Sequence, residues 1–108
     1  MVTITQVDNA FSKLRAAGYF AEQNFYCCQS CAWSAIPEDA SNKVVFYHAQ
    51  DDEYAWFNTN TMEESNILLN KLYLAWAGDC NEIRSILESE GLTVDHNGSE
   101  DKRIVILP

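Results

Sequence analysis

The stretch that decides the fold is KLYLAWAGDCNEIRSILESEG, residues 71–91, in which a buried strand leads directly into a helix. Apolar and aromatic residues fill positions 72–76 without alternation, which is typical of a strand buried on both faces, so we expect the central strand of a sheet. The helix that follows has a cap of the capping-box type, apolar residues at helical spacing and a glycine at its end. These markers are Asp79, Glu82, Ile83, Ile86, Leu87 and Gly91.

The other elements predict a small mixed domain. They are helices over residues 5–17 and 29–36, and strands over residues 19–26, 44–48, 92–96 and 103–107. Residues 49–60 are acidic and aromatic without a clear period, so we expect a long loop there, and residues 67–69 are expected to form a helical turn. Because this order does not repeat and contains no linker, the sequence predicts one α+β domain over residues 1–108. In it, a partly antiparallel sheet of about four to five strands packs in two layers against two main helices.

Composition and charge limit the classes of function. The chain has 108 residues, of which 47% are hydrophobic, and this is enough for a single domain to bury a core. Sixteen acidic residues against seven basic ones give a net charge of −9. Nucleic acids and anionic membranes are bound through Lys and Arg, so neither is expected as a direct partner, whereas a protein with a basic surface is.

The cellular location is predicted from what the sequence lacks. Its first residues form neither a basic nor an apolar leader, and no window holds the roughly 20 apolar residues of a membrane span. Three of the four cysteines lie between positions 27 and 31, unlike the spaced pairs of an extracellular disulfide framework. We therefore expect a cytoplasmic protein with reduced thiols.

The cysteine cluster is the densest group of reactive side chains. Cys27, Cys28 and Cys31 stand at a predicted turn from strand to helix, and the Cys-x-x-Cys spacing of the last two lets both sulfurs reach one metal ion or form a reversible disulfide. A tetrahedral zinc site needs a further ligand. The candidates for this ligand are His48, Cys80 and His96.

Two other interpretations of the cluster stay open. In a thiol redox protein, a cysteine at a helix N-terminus is favoured as the thiolate by the unpaired amides, which would suit Cys28 and Cys31. Alternatively the thiols are buried and inert, since cysteine is among the most buried residue types and Phe25, Tyr26 and Trp33 flank the cluster.

The two histidines do not predict a catalytic site. His48 and Asp51 are close enough in sequence to act as a base and its partner, but no serine has a recognised nucleophile context, so no catalytic residue is predicted. His96 precedes Asn97 and Gly98 and is expected to be exposed in a turn, without chemistry.

A second candidate site lies in the acidic and aromatic segment. Exposed aromatic rings beside carboxylates form hot spots for a protein partner that carries Arg or Lys. The predicted partner-binding residues are Asp51, Asp52, Glu53, Tyr54, Trp56 and Phe57.

Several motifs carry a family resemblance over almost the whole chain. They are NFYCCQSC at residues 24–31, VFYHAQD at 45–51, LYLAW at 72–76 and GLTV at 91–94, with Ile83, Gly98, Arg103 and Ile104. In these the chain resembles an uncharacterised bacterial family of unknown function, found mostly in small cytoplasmic proteins. The resemblance implies no activity. It pairs the cysteine motif with the histidine motif, which supports a shared metal site of Cys27, Cys28, Cys31 and His48.

The sequence therefore predicts a small acidic domain, non-enzymatic, that binds or regulates a protein and has zinc as its candidate cofactor. One alternative is a thiol redox protein that uses Cys28 and Cys31. Another is an inhibitor encoded by a virus or mobile element, whose negative charge mimics nucleic acid and blocks a basic protein surface.

Overall fold

The computed structural model describes residues 2–40, 42–96 and 102–108. Within them the helices are α1 Ile4–Ala16, α2 Gln29–Ala35, α3 Ala49–Trp56 and α4 Cys80–Ser89, with a 3-10 turn at Glu38–Ala40. The strands are β1 Phe20–Glu22, β2 Val44–Phe46, β3 Phe57–Asn58, β4 Glu63–Glu64, β5 Leu72–Ala77, β6 Thr93–Asp95 and β7 Ile104–Leu107. The predicted α+β class is confirmed.

Five strands form one mixed sheet in the order β1-β2-β5-β7-β6. β1 and β2 are parallel, and the other three pairings are antiparallel. β3 and β4 form a separate antiparallel pair. Because β5 lies in the middle of the larger sheet and its Leu72, Leu74 and Ala75 are buried, the predicted central strand is confirmed.

The main core lies between one face of the sheet and the helices α1, α3 and α4. From α1, Phe11 and Leu14 are fully buried, and from α4, Ile83 and Leu87 are fully buried. Burying one such side chain stabilises the fold by about 1.5–3 kcal/mol. This apolar contact fixes both helices on the sheet.

A smaller core lies on the opposite face, beneath α2. Side chains alternate along a strand, so Val45 of β2 joins the main core while Val44 and Phe46 point to the other face. There they pack with Ala32 of α2 and Ala75 of β5. α2, which begins after Cys28 and contains Cys31, therefore rests on the face that α1 and α4 leave open.

The ends of α4 lie at the predicted Asp79 and Gly91. Asp79 is the N-cap, and its side chain accepts hydrogen bonds from Asn81 N at 3.0 Å and Glu82 N at 3.3 Å. Gly91, after the helix, has φ of 80°, a backbone angle that glycine adopts without strain. The connection predicted between β6 and β7 falls largely on residues 97–101, outside the described residues.

Two local predictions were wrong. Residues 49–60 are not a long loop, because α3 and β3 occupy most of them. His48 provides the N-cap of α3. The only buried apolar residues of this helix are Ala55 and Trp56, so its sequence shows little helical periodicity of apolar residues. Residues 67–69 form no helical turn, because Ile67 forms a β-bridge with Thr3 instead.

Candidate functional site

The cysteine cluster is positioned by the turn that follows β1. Asn24 and Tyr26 adopt left-handed backbone angles there, with φ of 52° and 61°. Two backbone bonds hold the turn beside β2 and α3: Phe25 N donates to Tyr47 O at 2.9 Å, and Ala49 N donates to Tyr26 O at 2.9 Å. The turn is therefore tied to the start of α3.

Aromatic packing fixes the same turn. The ring of Phe25 makes edge contacts with Phe20, Tyr26 and Phe46, at centroid distances of 5.6, 4.7 and 5.8 Å. Such contacts contribute about 0.5–1.5 kcal/mol each. Because the strand stops at residue 22 and the chain then turns, the extended segment predicted over residues 19–26 is correct only in its first part.

Cys27, Cys28 and Cys31 form one compact group of thiols. Their sulfurs all lie within 4.8 Å of one another, and those of Cys27 and Cys28 are 3.9 Å apart. A tetrahedral zinc ion with Zn–S bonds of about 2.3 Å separates its sulfurs by about 3.8 Å. Small side-chain rotations would bring all three sulfurs onto one ion, so the group could hold a metal.

The thiols of this group are open to solvent. Cys27 and Cys31 are exposed and Cys28 is half-buried. The prediction that these thiols are buried is therefore wrong. Its aromatic neighbours Phe25 and Trp33 pack against the smaller core, and this leaves the cysteines at the surface.

Hydrogen bonds separate the acidities of two of the thiols. The pKa of Cys28 is lowered to about 6, chiefly by the hydroxyl of Ser30, which lies 3.5 Å from its sulfur, and further by Cys31 and Cys27. The pKa of Cys31 is raised to about 11, chiefly by its hydrogen bond with Cys28. At neutral pH, Cys28 is therefore mainly a thiolate while Cys31 keeps its proton.

His48 is not a member of the compact thiol group. Its buried ring faces Asp51: Nδ1 accepts from Asp51 N at 3.4 Å, and Nε2 lies 3.1 Å from Asp51 Oδ2. Burial is the main cause that lowers the pKa of His48 below its usual value of 6.5. The predicted contact with Asp51 is present, whereas the role of His48 as a fourth metal ligand stays a prediction.

The predicted partner-binding residues divide between core and surface. Asp51 and Trp56 are only 8% and 3% exposed, so their place on an exposed surface was wrong, because α3 turns both toward the sheet. Asp52 and Phe57 are half-buried, while Glu53 and Tyr54 are exposed. An open groove of about 360 Å³ is lined by Gln50, Glu53, Tyr54, Phe57, Thr59 and Asn70.

The fourth cysteine forms a separate pair that the sequence analysis missed. Cys80 Sγ lies 3.1 Å from His96 Nδ1, and Cys80 is not part of the group of three thiols. His96 is half-buried rather than exposed. A signal was present in the predicted topology, since Cys80 begins a helix and His96 ends the strand that returns beside it.

Comparison with known proteins gives a family without an assigned activity. A family model described as Domain of unknown function (DUF6891) matches residues 2–108. No curated protein and no solved structure matches the chain. Within the part of the chain that the structure describes, no helix is both long enough and apolar enough to cross a membrane.

Proposed function

The chain belongs to the family described as Domain of unknown function (DUF6891), and we propose that it is a non-enzymatic domain that binds one zinc ion through Cys27, Cys28 and Cys31. The observation that carries this proposal is the convergence of three surface thiols within 4.8 Å on one turn. Thiolates are soft ligands that select zinc and copper(I) over magnesium, calcium and manganese. Water or an imidazole would complete the tetrahedron of the zinc ion.

The acidity of the group favours metal binding at neutral pH. A metal must displace the proton of each thiol that it binds, so affinity falls as the pH falls. Cys28, with a pKa of about 6, has already lost its proton at neutral pH. The net charge of −9 also attracts cations to the domain.

The ion would stabilise a helix that is weak by itself. α2 has seven residues, buries only Ala32 fully, and receives no side-chain cap bond from Cys28. Isolated helices of this length are marginal in water. An ion that binds Cys28 at the N-cap and Cys31 in the first turn would fix the start of α2.

The second half of the proposal concerns the acidic surface, which we define as Asp52, Glu53, Tyr54 and Phe57. The bond from Ala49 N to Tyr26 O connects the start of α3, which carries this surface, to the metal-binding turn. A Lys or Arg side chain of a protein partner would pair with Glu53 and lie against the ring of Tyr54. An NMR titration with a short arginine-rich peptide should shift the signals of Glu53, Tyr54 and Phe57, and unchanged signals would contradict this half.

Cobalt(II) titration tests the metal site, because the absorption bands of cobalt thiolates report how many sulfurs bind. Wild-type protein should bind one equivalent, which zinc then displaces. Cys27→Ser, Cys28→Ser and Cys31→Ser should each weaken binding by at least about tenfold. Cys80→Ser is the matched control and should bind as the wild type does. The proposal is wrong if the cobalt affinity is unchanged in each of the three single cluster variants. It is also wrong if Cys80→Ser loses cobalt binding.

The same titration decides the role of His48. His48→Asn suits the test, because asparagine is a good N-cap residue and keeps the start of α3. A cobalt affinity that falls as in the cysteine variants would make His48 the fourth ligand. An unchanged affinity would remove His48 from the metal set and leave water in the fourth position.

A second candidate function is thiol redox exchange, which the separated acidities of Cys28 and Cys31 favour. The Cys28 thiolate would attack a disulfide of a partner, forming a mixed disulfide and releasing one partner thiolate. Cys31 would then lose its proton and displace the second partner sulfur. The partner disulfide gains two electrons and leaves as two thiols, and Cys28 and Cys31 become a disulfide. Metal-free protein treated with glutathione disulfide should form this bond, and its absence would reject the redox function.

A further inference from the structure

Cys80 and His96 form a thiol–imidazole pair. Both residues are distant in sequence from the three clustered thiols, and Cys80 is not part of that group. Cys80 is the first residue of α4, and His96 follows β6. Two hydrogen bonds hold these elements together, because the guanidinium of Arg84 donates to Val94 O at 3.4 Å and to His96 O at 3.3 Å. The distance of 3.1 Å from Cys80 Sγ to His96 Nδ1 is therefore set by the packing of a helix against a strand.

The protonation of the imidazole follows from its other nitrogen. His96 Nε2 lies 3.0 Å from Lys102 O, and since a carbonyl oxygen can only accept, Nε2 carries a hydrogen. In the neutral ring, Nδ1 then carries the lone pair, and Nδ1 faces Cys80 Sγ. Nδ1 is therefore placed to accept a proton from Cys80.

A tryptophan holds the ring in this orientation. The ring of Trp76 packs edge-on against His96 at a centroid distance of 5.4 Å. Its Nε1 donates to the same Lys102 carbonyl oxygen at 2.8 Å. Thiol, imidazole and an orienting third group are the parts of a base-activated nucleophile.

The surroundings of the sulfur explain why a base is needed. Cys80 is half-buried, and burial is the main cause that raises its pKa, with the charge of Asp79 adding to the rise and that of Arg84 opposing it. The thiol therefore keeps its proton at rest. Reaction with an electrophile requires His96 to take that proton.

We propose that Cys80 is a peroxide-reactive thiol with His96 as its general base. His96 Nδ1 takes the thiol proton, and the sulfur attacks one oxygen of hydrogen peroxide as the O–O bond breaks. The departing hydroxide takes the proton from Nδ1 and leaves as water, so the neutral imidazole is restored. The sulfur is oxidised to sulfenic acid by two electrons, and the peroxide is reduced. This site is independent of the zinc proposal.

The test measures oxidation of each cysteine in the 108-residue protein. The protein receives a short pulse of hydrogen peroxide in the presence of dimedone, which traps sulfenic acids, and the labelled peptides are quantified by mass spectrometry. His96→Phe keeps an aromatic ring beside Trp76 but has no base, so the rate at Cys80 should fall about 100-fold. Ser85→Ala, at an exposed position of α4, is the control and should leave this rate unchanged.

Two outcomes would overturn the proposal. One is a rate at Cys80 in His96→Phe that stays within about threefold of the wild-type rate. The other comes from the wild-type protein alone, so it can be measured even if His96→Phe does not fold. The proposal predicts that wild-type Cys80 reacts with hydrogen peroxide at least about tenfold faster than glutathione does at neutral pH. A wild-type rate no faster than that of glutathione would show that His96 does not activate the thiol.

Discussion

Asp51 and Arg103 form an ion pair that joins the first turn of α3 to the residue before β7. Arg103 also donates to Tyr73 O at 2.7 Å, so its guanidinium binds α3 and the central strand β5 together. Asp51 is buried, and Arg103 is partly buried. This pair fixes the helix that carries the acidic surface.

Asp51→Asn should lower the free energy of unfolding by about 2–3 kcal/mol, because it leaves a partly buried guanidinium without its counter-charge. Urea denaturation measures this loss. The double variant Asp51→Asn with Arg103→Met should lose less than the sum of the two single variants, since the two groups act together. Additive losses would mean that the ion pair does not couple α3 to the sheet.

Asp52, the next residue, should behave in the opposite way. Burial, and then the charge of Glu64, raise its pKa above the usual 3.8. A carboxyl with a raised folded-state pKa binds its proton more tightly in the folded protein, so it lowers stability as the pH rises through this range. Because Asp52 is partly exposed and solvent screens its charge, Asp52→Asn should stabilise by only about 0.5 kcal/mol at neutral pH.

The check on Asp52 is its pH dependence. The gain from Asp52→Asn should vanish once the pH is well below 3.8, where the carboxyl is protonated in both the folded and the unfolded state. Asp95→Asn, at an exposed position of β6, is the control and should change stability little at either pH. A gain from Asp52→Asn that is equal at acid and neutral pH would contradict the account.

Asp79→Ala should destabilise the protein by about 1 kcal/mol, because it removes the side chain that caps α4. Asp79→Asn keeps a capping oxygen and should lose only a small part of this. Thermal unfolding of the two variants provides the comparison. Equal losses would show that the charge of Asp79, rather than its cap, stabilises α4.

The sequence predicted the fold where the signal is local and missed contacts that only packing creates. The run at residues 72–76 and the cap at Asp79 need no tertiary information, so β5 and α4 were predicted correctly. α3 was missed because its N-cap is a histidine and its inward face includes the charged Asp51. The predicted topology put Cys80 at the start of a helix and His96 at the end of the strand that returns beside it, but their contact depends on how α4 packs against β6.

The site shows the same division. The sequence brought Cys27, Cys28 and Cys31 together because they are neighbours along the chain. It could not predict their exposure, which depends on Trp33 packing onto the face of the sheet opposite the main core. Ring orientation at His48 likewise depends on Asp51, which becomes its partner only once α3 forms.

Brief alkylation of metal-free protein with iodoacetamide at neutral pH should label Cys28 well before Cys31, because their pKa values are about 6 and about 11. Peptide mass spectrometry follows the two sites. Ser30→Ala removes the main cause of the lowered pKa and should slow labelling of Cys28. Ser34→Ala is the control, since its hydroxyl bonds the backbone oxygen of Cys31 instead of a thiol. Equal labelling of Cys28 in both variants would contradict the assigned cause.

Native mass spectrometry of untagged protein, expressed in a reducing cytoplasm, tests the metal site most directly when it is combined with a count of reactive thiols. The account predicts one bound zinc ion, whose removal by a chelator opens the cluster of Cys27, Cys28 and Cys31 to the reagent, with Cys28 reacting before Cys31, while the reactivity of Cys80 is unchanged. A metal-free protein whose three clustered thiols react equally with and without chelator would contradict it.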